Sequence, residues 1–113
     1  MKPTALDRLL DIEKAIEQIE EFCAEHTEES FLEDERDQSA VCWQLLAIGE
    51  AAAKLPADFT ERHDGIPWRQ IIGTRNFLAH GYNVVRPERI WNIVVADLPE
   101  LKRDVLRLIK SLE

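Results

Sequence analysis

The stretch Thr4-Ala5-Leu6-Asp7-Arg8-Leu9-Leu10-Asp11-Ile12-Glu13-Lys14-Ala15-Ile16-Glu17-Gln18-Ile19-Glu20-Glu21-Phe22-Cys23 decides the fold class. Leu6, Leu9, Ile12, Ile16, Ile19 and Cys23 recur at three- and four-residue steps, which places them on one face of a helix. Glu13, Lys14, Glu17 and Glu20 fall on the opposite, wet face. Thr4 is a candidate N-cap, and Asp7 three residues on completes an approximate capping box. The pattern predicts a helix over residues 4–26.

The same period returns downstream. Residues 27–37 are polar and acidic and read as a loop or a frayed helix start, pinned to the core by Phe31 and Leu32. Val41, Cys42, Leu45, Ile48, Ala52 and Leu55 form the apolar stripe of a second helix from Asp37 to Leu55, ended by Pro56. Gly49, Ala51, Ala52 and Ala53 are small enough to admit a close neighbour. Asp64-Gly65 marks a turn, and Pro67 fits the first position of a third helix that carries Ile71, Ile72, Phe77 and Leu78 and finishes near His80. Gly81 is a natural helix cap. Pro87 opens a further helix with Ile90, Trp91, Val94, Val95 and Leu98, and Pro99 either kinks it or starts another. Leu101, Val105, Leu106, Leu108, Ile109 and Leu112 complete a C-terminal amphipathic helix. Nothing reads as strand. The expected architecture is all-α, an antiparallel helical bundle of four to five helices in one domain over residues 1–113.

Composition narrows the function classes. Hydrophobic residues make up 45% and charged residues 32%, which suits a globular chain with its own core. No apolar run approaches the roughly 18 residues that span a bilayer, and Met1-Lys2-Pro3-Thr4 leads straight into a charged helix, so neither a membrane span nor a signal peptide is expected. Cys23 and Cys42 are isolated in predicted helices and are expected to be buried thiols in a reducing cytoplasm. The net charge of −8 argues against a general nucleic-acid binder. The charge is segregated, however. Acid concentrates in Glu28, Glu29, Glu33, Asp34 and Glu35, whereas Arg62, Arg69, Arg75, Arg86 and Arg89 surround one short motif. Such a field can admit RNA at one place, or a basic protein elsewhere.

That motif is Arg75-Asn76-Phe77-Leu78-Ala79-His80-Gly81-Tyr82. Arg75 offers a permanent cation whose planar fork matches phosphate oxygens. His80 can give and take protons near neutral pH. Together they supply what metal-free RNA cleavage needs: a base for the 2′-hydroxyl, an acid for the departing 5′-oxygen, and a cation for the transition state. Asn76 could hold the imidazole or a phosphate oxygen. Five positions along a helix turn Arg75 and His80 about 140° apart, and one chain supplies only one motif histidine for two proton transfers. A symmetric dimer with the motif at its axis would supply two. Glu50 lies amid apolar residues, where it is either a buried partner of Arg75 or a partly exposed helical glutamate; the first is favoured, because a buried carboxylate needs a cation. Trp43, Trp68 and Trp91 read as core or dimer-contact aromatics. His26 and His63 have no ligand spacing with each other or with a cysteine, so no metal and no cofactor is expected.

These residues resemble a known family. The Arg, four residues, His, any residue, Tyr pattern of residues 75–82 is similar to that of HepT-like proteins in the HEPN superfamily. Ala47-Ile48-Gly49-Glu50-Ala51-Ala52 resembles the family's second-helix signature. Ile66-Pro67-Trp68 ahead of Arg75-Asn76, and Trp91-Asn92-Ile93-Val94 with Asp97-Leu98-Pro99, also fit. The likeness runs from Asp37 to the end. It implies a HEPN fold, a homodimer with a composite active site, and a metal-independent endoribonuclease toxin of a prokaryotic, type VII-like toxin–antitoxin pair. It implies as partner an MNT-type nucleotidyltransferase that transfers AMP from ATP to the motif tyrosine. Arg75 and His80 would be catalytic, Asn76 and Glu50 supporting, and Tyr82 the modified residue. Where the family often carries an acid before its fourth helix this chain has Arg86, so a weaker helix start is expected there. Two alternatives stay open: an inactive HEPN module that only pairs with its transferase, and a helical dimerisation domain in which the motif is accidental.

Overall fold

The computed structural model describes residues 4–81 and 85–113. Every element among them is helical: α1 Ala5–Cys23, α2 Glu28–Leu32, α3 Glu35–Ala53, α4 Ala57–Arg62, α5 Trp68–Gly81, α6 Pro87–Asn92 and α7 Leu98–Leu112, with a π turn at Ile93–Asp97 between the last two. The bundle is HEPN-like and measures 40 × 28 × 27 Å. α3 packs against both α1 and α5, and α7 closes the bundle on α1.

The apolar face of the first helix does what its period requires. Leu9, Ile12, Ile19 and Val41 are wholly buried, and Ile16, Val105 and Leu108 nearly so, all in one core. Burying each such side chain contributes about 1.5–3 kcal/mol. The start of α1 is the expected capping box. The Thr4 hydroxyl accepts from the Asp7 amide at 3.2 Å, and Asp7 accepts from the Thr4 amide at 2.8 Å. The end comes earlier than residue 26, because residues 24–38 are claimed by other bonds. Thr27 caps α2 through a box with Ser30. Asp34 caps α3 by accepting from the Asp37 amide at 2.9 Å, so α3 begins at Glu35 rather than Asp37. The Gln38 amide donates to the Phe31 and Leu32 carbonyls at the end of α2. Phe31 is fully buried against Trp91, with ring centroids 5.2 Å apart, and pins this acidic segment to the core.

Three other expectations are refined. The connection after Pro56 holds a short helix, α4, and its far side is tied down by the Trp68 indole donating to the His63 carbonyl at 3.0 Å. α5 runs through Gly81, one residue past the expected finish near His80, and what caps it lies outside the described residues. Pro99 does not break the C-terminal helix. It has no N–H to donate to Val95, and its ring would strike that carbonyl in a regular turn. The chain widens instead: the Leu98 amide donates to the Ile93 carbonyl five residues back, and α7 continues. Arg86 caps α6 without a side-chain hydrogen bond, the weak start expected of it.

Candidate active site

The candidate site is built where α5 crosses α3. Gly49 makes the crossing possible. A Cβ on Gly49 would collide with Cβ and Cγ of Arg75, so only glycine lets the two backbones come this close. Arg75 thereby lies on the inner side of α5, and its side chain is three-quarters buried. Its Nη1 donates to both carboxylate oxygens of Glu50, at 2.9 and 3.1 Å. Its Nε is buried without an acceptor, and Nη2 has no partner among the described residues. The guanidinium is anchored through Nη1, and Nη2 keeps its donors to offer.

Glu50 is the partner of Arg75, but it is not buried. Its side chain is 52% exposed. The apolar neighbours in sequence misled because they belong to the inner face of α3, and Glu50 sits at the edge of that face. Trp43, two turns earlier on the same face of α3, is 70% exposed, whereas Trp68 is buried and Trp91 half-buried against Phe31.

His80 lies in the last turn of α5, exposed, and Asn76 is exposed one turn before it. Arg75 faces α3, so a single protomer joins Arg75 to Glu50 and does not bring it to the face that carries Asn76 and His80. Tyr82 lies outside the described residues. Phe77 is also partly exposed, and the guanidinium of Arg89 on α6 sits over its ring, 4.5 Å from the centroid. This pair was not legible in the sequence, where Phe77 counted as an apolar helix position and Arg89 as one of several motif-side cations.

A second polar cluster joins α1, α2 and α3. His26 bonds to Ser30 through Nδ1 at 2.7 Å and to Asp37 through Nε2 at 2.7 Å, with Asp34 at 3.5 Å. The His26, Asp34 and Asp37 donor atoms lie within 4.8 Å of one another. Hydrogen bonds within the chain already engage them, and the cluster reads as a clasp on the α1–α3 connection. The hydrogen bond from His26 holds the Asp37 carboxyl below the usual carboxylate range, against an opposing effect of burial. The two thiols are inert by position. Burial pushes Cys42 up, and burial with the Asp37 charge pushes Cys23 up to about 11.

Comparison with known proteins now bears on this geometry. The profile of the family described as "Ribonuclease HepT-like" matches residues 12–108. The chain belongs to the HepT-like ribonuclease family. A protein of Thermococcus cleftensis named "Probable ribonuclease HepT" is 44% identical over 102 residues, covering 90% of this chain and 93% of that one. A Methanocaldococcus jannaschii protein named as a candidate RNase is 34% identical over 105 residues, covering 93% of this chain and 87% of its own length. A Caldanaerobacter subterraneus protein, also named as a candidate RNase, is 35% identical over 83 residues, 74% of each chain. No solved structure matches. The HepT-like match spans α3, α5 and everything between them, so the Gly49 crossing and the Arg75–Glu50 pair lie inside the matched region. Among the described residues no helix is long and apolar enough to cross a membrane.

Proposed function

We propose that this protein is a metal-independent endoribonuclease of the HEPN type, the toxin of a prokaryotic toxin–antitoxin pair acting in the cytoplasm. The observation that carries the reading is the coincidence of a family match over residues 12–108 with an anchored Arg75 and an exposed His80 on the same helix. In this reading one imidazole takes the 2′-hydroxyl proton as that oxygen attacks phosphorus. A second imidazole protonates the departing 5′-oxygen, and Arg75 holds the charged phosphoryl oxygens through its unpaired donors. Two histidines require two copies of the one domain, which is the argument for a homodimer with a shared cleft. Exposed Trp43, on the face of α3 that carries Glu50, gives a second copy an aromatic anchor of the kind that dominates interfaces. Glu50 positions Arg75, and Asn76 steadies His80 or a phosphate oxygen. The antitoxin is an MNT-type nucleotidyltransferase. The Tyr82 oxygen attacks the α-phosphorus of ATP, pyrophosphate leaves, and the AMP-tyrosine adds to the motif bulk and negative charge that oppose phosphate entry.

One observation favours a second reading, an inactive module that only pairs with its transferase. Arg75 is turned to Glu50 and away from the face that carries His80. The test is cleavage of total RNA by purified protein in EDTA, with Arg75→Ala and His80→Ala as controls. Cleavage lost in both variants at unchanged folding supports the nuclease. No cleavage by the wild type, with transferase binding intact in His80→Ala, supports the module. The Tyr82 step is read separately as an AMP mass shift on its peptide after incubation with transferase and ATP.

A further inference from the structure

α5 carries an outer face of which the proposed site uses only Asn76 and His80, leaving Arg69, Gly73 and Phe77 without a role. Arg69, Gly73, Asn76, Phe77 and His80 fall within about 100° of one another around the helix. All five are exposed. Arg75 lies on the other side.

Gly73 is the informative residue. A glycine inside a helix costs about 0.5–1 kcal/mol relative to alanine. Gly49 repays that cost by admitting Arg75. Gly73 does not, because a Cβ there would meet nothing within 4 Å. Its own chain gives it no reason to lack a side chain. The bare backbone is a notch that suits close approach by something outside the chain.

The residues around the notch say what that is. Neither Arg69 nor Arg89 pairs with a carboxylate among the described residues. Arg89 instead lies over the Phe77 ring, 4.5 Å from its centroid. A guanidinium backed by an aromatic ring offers a pre-set, charged plane on which a base can stack. Arg69 stands one turn before Gly73 as a free phosphate contact. From Arg69 to His80 the helix rises about 16 Å, a span of a few nucleotides. A groove between α4 and α5, about 740 Å³ in volume, runs beside Arg69, Gly73 and Asn76. Glu61 and Asp64 line its α4 side and would hold phosphates towards α5.

We infer that this outer face of α5 is a track for single-stranded RNA leading away from the cleavage point, with Arg69 on a phosphate, the strand pressed against Gly73, and one base stacked on Arg89 over Phe77. The inference rests on the ribonuclease reading for its choice of ligand and not for any chemical step. It makes Arg89 and Gly73 substrate-positioning residues rather than catalytic ones.

The experiment measures binding of a short, fully 2′-O-methylated oligoribonucleotide, which cannot be cleaved, beside cleavage of its unmodified counterpart. Gly73→Leu fills the notch without touching the core, and Arg89→Ala removes the stacking plane. Each is expected to weaken binding about tenfold or more, in line with the loss of one stacked base, and to raise KM rather than lower kcat. Arg69→Ala is expected to reduce the slope of log affinity against log salt by about 0.7, one phosphate contact of a single strand. Gly73→Ala is expected to raise Tm by a few degrees, and cooperative melting of Gly73→Leu and Arg89→Ala near the wild-type Tm reports that they fold. Unchanged affinity in Gly73→Leu and Arg89→Ala overturns the track, as does failure of the wild type to bind the oligomer. Loss of binding only together with loss of self-association also overturns it, and assigns the notch to a second copy of the chain. A wild type that binds the oligomer but cleaves nothing removes the nuclease reading and leaves the track standing.

Discussion

The Cβ of Arg75 occupies the space that any side chain on Gly49 would need. This one contact sets the distance between α3 and α5, and it fixes the direction in which the Arg75 guanidinium leaves its helix. The rest of the candidate site follows from it.

Gly49→Ala must therefore push the two helices apart or bend Arg75 out of its place. Overpacking of this kind costs about 1–3 kcal/mol. A fall in the urea midpoint with unchanged slope is the expected result. Equal stability of the variant and the wild type would mean the crossing is looser than described.

Glu50→Gln separates positioning from stability. The pair is half exposed at Glu50, so its contribution to folding is small, about 0–1 kcal/mol. If Arg75 serves the transition state, removing its anchor is expected to lower kcat about tenfold, close to 1.4 kcal/mol of barrier, while KM and Tm change little. A variant that loses stability and keeps kcat would make Glu50 a structural residue only.

Acid stability should depend on Asp37. His26 Nε2 lies 2.7 Å from its Oδ2, and that bond holds the carboxyl below the usual carboxylate range. A carboxylate with a lower pKa folded than unfolded contributes stability that is fully present above the unfolded value and lost as pH falls through the folded one. The window is thus the acid side of the ordinary carboxylate range. The stability gap between wild type and Asp37→Asn should shrink as pH falls through and below the ordinary carboxylate range. A gap that stays constant to the acid limit would show that the clasp does not act through charge.

The thiols offer a simple check on packing. With Cys42 buried and Cys23 pushed up to about 11, neither presents thiolate at mildly alkaline pH. Iodoacetamide at about pH 8 should label neither in the native protein and both in denaturant. Rapid native labelling of Cys23 would place it nearer the surface than the structure does.

The sequence by itself determined the long helices and their inner faces, but not the short helices α2 and α4. Period and caps are local: Leu9, Ile12, Ile16 and Ile19 repeat at the helical step, and Thr4 with Asp7 can close a capping box within four residues. The Arg75 to His80 motif and the small residues around Gly49 were legible for the same reason, since they are contiguous in the chain. Only the tertiary structure decided what those residues face. Which α5 residue meets Gly49, that Glu50 is paired yet half exposed, that Arg89 lies over Phe77, and that His26 clasps Asp37 all depend on how helices far apart in sequence approach and rotate against each other. Side-chain period carries no information on that rotation beyond the apolar stripe. Polar residues at the edge of the stripe, such as Glu50, take their role from the neighbour that packing brings to them.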